Sequence, residues 1–70
     1  MKTKLLDVVA LLNDEPGLGL VRGQVGTIVE ELEGDVFEVE FSDNDGRTYA
    51  TVTLPAGELL VLRHESAEVA

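Results

Sequence analysis

The chain has no cysteine and no tryptophan, and its only aromatics are Phe37, Phe41 and Tyr49. Without cysteine, neither a disulfide nor a thiolate metal site can supplement the core, and a reducing, cytoplasmic location is the expectation. Positive charge is also scarce: five lysines and arginines stand against fourteen aspartates and glutamates, for a net charge of −9. So negative a body repels phosphate backbones and anionic lipid, so neither nucleic acid nor membrane is expected as a partner. Acidity can serve solubility alone. Its sharper implication is a basic protein partner. No apolar run approaches the ~20 residues that cross a bilayer. The stretch behind Met1-Lys2-Thr3-Lys4 is interrupted by Asp7, ends near Leu12 and has no convincing cleavage site, so it reads as a strand rather than a signal peptide.

What is present is β-branched sequence punctuated by glycine. Seventy residues make one domain with one small core, and a chain of this size buries only about 60% of the surface its unfolded form exposes. The run from Gly19 to Glu30 passes from a glycine-marked turn into a strand. Ahead of it, Leu5 to Leu12 is apolar apart from Asp7, and its length and Val8-Val9 pair favour a buried strand over a helix. Asn13-Asp14-Glu15-Pro16-Gly17 opens a long, mobile connection that extends to residue 23. Thr27 to Leu32 and Val36 to Ser42 are the next strands, joined by the Glu33-Gly34-Asp35 turn; Thr48 to Leu54 follows the loop Asp43-Asn44-Asp45-Gly46. Pro55-Ala56-Gly57-Glu58 makes a bend, Leu59 to Leu62 closes the domain, and residues 63–70 form a frayed tail beyond a 1–62 unit.

Alternation fixes the faces of the third and fourth strands in either plausible hairpin register. Phe37, Val39 and Phe41 share a face with Ala50, Val52 and Leu54, which is the core. The opposite face carries Glu38 and Glu40 beside Tyr49, Thr51 and Thr53. In the preceding hairpin a three-residue loop sets Glu30 against Glu38, and a two-residue loop sets Glu31 there. Either pairing opposes like charges across a ladder, which is mildly destabilising and tolerable on a solvated face. The candidate partner-binding set is therefore Glu30, Glu31, Glu38, Glu40 and Tyr49, with Leu18 and Leu20 of the 13–23 loop supplying apolar contact.

Five short strands, a long first connection, two hairpins and a bend predict an all-β fold, a small five-stranded antiparallel SH3-like barrel. The segments Leu5-Leu6-Asp7-Val8-Val9-Ala10-Leu11, Gly23-Gln24-Val25-Gly26-Thr27-Ile28-Val29, Phe37-Glu38-Val39-Glu40-Phe41 and Gly46-Arg47-Thr48-Tyr49-Ala50 resemble a family of small bacterial and cyanobacterial proteins catalogued only as a domain of unknown function. The resemblance spans roughly residues 5 to 62. It implies the barrel and, through a toxin-like neighbouring gene, an antitoxin-like role. Arg22 to Val29 is also similar, more loosely, to the KOW motif of ribosomal and transcription-elongation proteins. That motif implies loops that touch RNA or protein, but only Arg22 and Arg47 lie near such loops here, without a basic stripe or stacking aromatics. The glycines are more simply explained by a turn and a bulge.

No residue set assembles into a catalytic centre. His64 is the only histidine, and its neighbours Glu65 and Ser66 adjoin it in the tail, whereas a triad needs a rigid scaffold and an oxyanion site. Gly17, Gly19 and Gly23 lack dinucleotide-binding spacing and precede a strand where that fingerprint needs a helix. Asp43-Asn44-Asp45-Gly46 resembles the middle of a calcium loop, yet aligning Gly46 with that loop's glycine puts Phe41 and Val52 at ligand positions. A hairpin turn accounts for it. No metal and no cofactor are expected. The sequence thus predicts a non-enzymatic, acidic protein-binding module, an antitoxin- or immunity-like partner of a basic protein. The alternative is an accessory subunit of a larger complex, including a KOW-like ribosome or transcription-factor contact.

Overall fold

The computed structural model describes residues 3–64. Met1, Lys2 and the stretch from Glu65 onward, including most of the expected tail, lie outside the described residues. Five strands follow one another: β1 (Val8–Leu11), β2 (Val25–Leu32), β3 (Val36–Ser42), β4 (Thr48–Pro55) and β5 (Leu59–Val61). Single 3-10 turns occupy Pro16–Leu18 and Ala56–Glu58. Every pairing is antiparallel and the hydrogen-bonded order is β4-β3-β2-β1-β5. The fold is the expected small all-β antiparallel barrel.

β2 is the strand that lets so short a chain curl. Its first three residues pair with β1 on one side, while Gly26 to Leu32 pair with β3 on the other. One rung consequently crosses all five strands, Val61–Val9–Gly26–Phe41–Ala50, and points inward. The edge strands β4 and β5 are joined through the second 3-10 turn, which is tied to both ends of the sheet. Ala56 N–H donates to the Asp35 carbonyl at 2.9 Å, and Leu12 N–H donates to the Glu58 carbonyl at 3.0 Å. Inside the curl lie Val9, Leu11, Leu20, Ile28, Phe37, Val39, Phe41, Leu54 and Leu59, with Ala50, Val52, Ala56 and Val61 packed against them. The face read from alternation is the core, as expected, with Phe41 opposite Ala50, Val39 opposite Val52 and Phe37 opposite Leu54.

Three local expectations need correction. The first strand begins at Val8 rather than Leu5, because a turn from Lys4 to Asp7 intervenes. Asp7 N–H donates to the Lys4 carbonyl at 3.1 Å, and the Asp7 carboxylate accepts the Lys4 N–H at 2.9 Å. This closure leaves Leu5 and Leu6 exposed and holds Leu6 at φ 70°, a conformation a leucine seldom adopts. The connection from 13 to 23, expected to lack regular structure, carries a 3-10 turn and a strand-like bridge. Glu15 bridges to Leu20, and the Asp14 carboxylate accepts Arg22 N–H at 2.9 Å. Gly26 does not mark a bulge; the irregularity in β2 falls between Ile28 and Glu30, at Val29.

The Lys4–Asp7 turn carries a pH dependence. The Lys4 N–H held against the Asp7 carboxylate, aided by the Lys4 ammonium at 3.2 Å and the charge of Arg63, keeps this carboxyl below its ordinary 3.8. The exposed ion pair contributes little by itself, so the backbone bond dominates. A carboxyl depressed in the folded state stabilises in full above the ordinary carboxylate range and ceases to do so as pH falls through its folded value. Asp7→Asn should therefore lower the melting temperature at neutral pH, and the gap from wild type should close in strongly acidic buffer. Thermal melts of both proteins across that range check this.

Candidate functional site

The polar outward surface is built by the two hairpins. Leu32 pairs with Val36, so the β2–β3 loop has three residues and sets Glu30 against Glu38. Gly34 and Asp35 both take positive φ, 76° and 56°, in this turn; glycine does so freely and aspartate tolerates it. Beyond the Val29 bulge the register shifts by one, and Thr27 pairs with Glu40. β4 completes the rungs with Thr51 opposite Glu40 and Thr53 opposite Glu38. Glu30, Glu38 and Glu40 are thereby brought to one surface, with threonines beside them. Among the described residues, no lysine or arginine is paired in these rungs.

Three members of the expected set, Glu31, Leu20 and Tyr49, fall elsewhere. Glu31 pairs with Phe37, on the other side of the strand from Glu30, and its carboxylate accepts the Leu5 N–H at 3.2 Å. The three-residue loop decides this. Leu20 is only 2% exposed and belongs to the core, where it anchors the 13–23 loop; it offers no contact to a partner. Leu18, in the 3-10 turn of the same loop where it was expected, is exposed. Tyr49 is the most instructive case. Ser42 pairs with Thr48 and Phe41 with Ala50, which leaves Tyr49 as the extra residue of a bulge. A bulge re-aims its side chain, and the Tyr49 ring lies 6.4 Å from that of buried Phe41, tilted by 39°. Its hydroxyl accepts the Gln24 Nε2–H at 3.2 Å, while Gln24 Oε1 accepts Val21 N–H at 2.6 Å. Half-exposed Tyr49 thus closes one end of the barrel against the loop instead of standing among the glutamates.

The Asp43–Gly46 loop resolves into turn chemistry. Asp43 Oδ1 accepts the N–H groups of Asp45 at 2.9 Å and Arg47 at 3.0 Å, and Gly46 supplies φ 79°. Asp43 Oδ1 thus serves the backbone of its own turn.

The geometry of this chain meets known proteins at one point. A family model described as "Domain of unknown function (DUF4926)" matches residues 5–61. The chain belongs to this family. The matched span runs from the Lys4–Asp7 turn to the last residue of β5, so the DUF4926 unit and the curled sheet coincide. No curated protein and no solved structure matches the chain. Membership in DUF4926 therefore delimits the domain and brings no activity with it. Among the described residues, no helix is long and apolar enough to cross a membrane.

What sequence reasoning missed is the other half of the outward surface. Ala10 pairs with both Val25 and Leu60, and Val8 pairs with Thr27, so an apolar area adjoins the acidic one. Val25 and Leu60 are about half exposed. The signal was present in the alternation of Val8 and Ala10 with Val9 and Leu11, but β1 is apolar on both faces and so gives no contrast to read.

Proposed function

We propose that this DUF4926 protein is a non-enzymatic, cytoplasmic binding module that neutralises a basic protein, in the manner of an antitoxin or immunity protein. The observation that carries the reading is the outward row of Glu30, Glu38 and Glu40, with no basic residue paired among them, on a body of net charge −9. Glu30 and Glu38 are held directly opposite one another, an arrangement that costs a few tenths of a kcal/mol in the free protein. A positive partner surface relieves that repulsion, so part of the cost returns as binding free energy. Carboxylates on a rigid ladder also steer a basic partner into register before contact, and this acts on the association rate more than on the final affinity.

The test is kinetic. Glu38→Lys and Glu40→Lys change outward side chains and should leave the melting temperature near that of wild type. Each should slow association with a basic partner by roughly tenfold while changing dissociation far less. Surface plasmon resonance on the folded variants measures both rates. Equal association rates for wild type and the two variants would remove the acidic row from the interface.

A further inference from the structure

We propose that the apolar half of the outward surface, with Ala10 at its centre between Val25 and Leu60, is where the basic partner docks, with Glu40 as the charged rim of that contact. This rests on the protein-binding reading above and adds to it the place and the chemistry of the contact. The registers supply the surface. Ala10 is paired on one side with Leu60 of β5 and on the other with Val25 of β2. One rung along, Val8 pairs with Thr27, and Thr27 with Glu40. Two inter-strand spacings separate Val8 from Glu40, about 10 Å along the sheet. Apolar centre and acidic rim therefore lie within the footprint of a single protein contact.

Exposure argues that this area is unsatisfied in the isolated chain. Val25 is 46% exposed and Leu60 51%, yet Ala10 between them is only 9% exposed. Ala10 is largely covered, and the exposed apolar surface belongs to the two large side chains on either side of it. Val9 and Leu11, the alternate residues of the same strand, already fill the core, so the outward residues of β1 are not needed there. A contiguous apolar area on a small acidic domain marks an interaction site.

Charge selects the occupant. Every ionisable side chain in the outward rungs, Glu30, Glu38 and Glu40, is negative. A second copy would set this surface and a net charge of −9 against its own kind, and an anionic membrane would meet the same repulsion. The complementary surface is a protein face with apolar side chains and lysine or arginine beside them.

The probe is a short amphipathic helical peptide of leucine and lysine, compared with a control in which serine replaces leucine. Both are titrated into the isotopically labelled full chain and followed by NMR. The leucine–lysine peptide should shift the amides of Val8, Ala10, Val25, Leu60 and Glu40, and Leu60→Ser should weaken it about fivefold, a loss in keeping with one half-exposed leucine left unburied. The control peptide should bind weakly and be indifferent to Leu60→Ser. Val25→Thr, which keeps the β-branched shape, repeats the test should Leu60→Ser melt early. Shifts centred on Glu30 and Glu38 or on residues 13–23, with Leu60→Ser and Val25→Thr without effect, would overturn this assignment and leave the acidic-module reading standing. No binding of either peptide would overturn both. Concentration-dependent dimerisation that Leu60→Ser abolishes would put a second copy on this face and overturn the choice of partner.

Discussion

Gly26→Ala should destabilise the fold by about 3 kcal/mol, the upper end of what one added methyl group costs in a packed interior. The reason is positional. Gly26 lies on the rung that crosses all five strands, and a Cβ there would fall 2.8 Å from Val39 Cγ1, 2.9 Å from the Glu40 carbonyl oxygen and 3.0 Å from Phe41 Cδ1. A methyl group needs more room than any of these distances allows. Val39 could turn aside, but the Glu40 carbonyl belongs to the backbone of β3, which is laddered to β2 and β4. Val39→Ala should for that reason fail to rescue Gly26→Ala. Gly17 and Gly57, which meet no neighbour and do not take a positive φ, should accept alanine with little change. Urea denaturation of the single and double variants measures the difference, and a double variant restored to the stability of Val39→Ala alone would show that the obstacle is the side chain only.

Phe41→Ala should cost about 3 to 5 kcal/mol, the usual penalty for emptying a buried aromatic site. Phe41 is fully buried, and its position makes relaxation difficult. It faces Gly26 on one strand and Ala50 on the other, both too small to collapse into the space it would leave. The Tyr49 ring would also lose the neighbour against which it rests. Small domains have only about 5 to 15 kcal/mol in total, so the variant should populate unfolded chain at moderate temperature. Calorimetry or chemical denaturation decides this, and a native-like transition for Phe41→Ala would contradict the core described above.

The sequence made the faces of β3 and β4 legible because those strands separate apolar from polar residues with period two, and a one-residue slip would exchange them. Turns were legible where glycine and aspartate supply positive φ, as at Gly34, Asp35 and Gly46. Bulges were not. Neither Val29 nor Tyr49 has local chemistry that announces an extra residue, and each is set by how the two strands must twist around a small core. The consequences reach the surface: the bulge at Val29 sits between the pairing of Glu30 and that of Thr27, and the bulge at Tyr49 turns that ring toward Phe41. Leu18 and Leu20 show a second limit. They lie two residues apart in one loop, and only the Glu15–Leu20 bridge selects Leu20 for the core. Leu5 and Leu6 show a third, since apolar side chains reached the surface where the Asp7 carboxylate closed a turn on Lys4. Gly26 was read as punctuation, and its close approach to β3 became visible only once the strands were paired.

If carboxylates on a rigid sheet draw a basic partner, charge governs how fast the two meet. The direct measurement is the association rate constant of the wild-type chain with the protein that co-purifies with it, taken over a series of salt concentrations. The expected partner has a high isoelectric point, and the rate should fall steeply as salt rises, with dissociation much less affected. A neutral or acidic partner whose association rate is indifferent to salt would contradict this expectation.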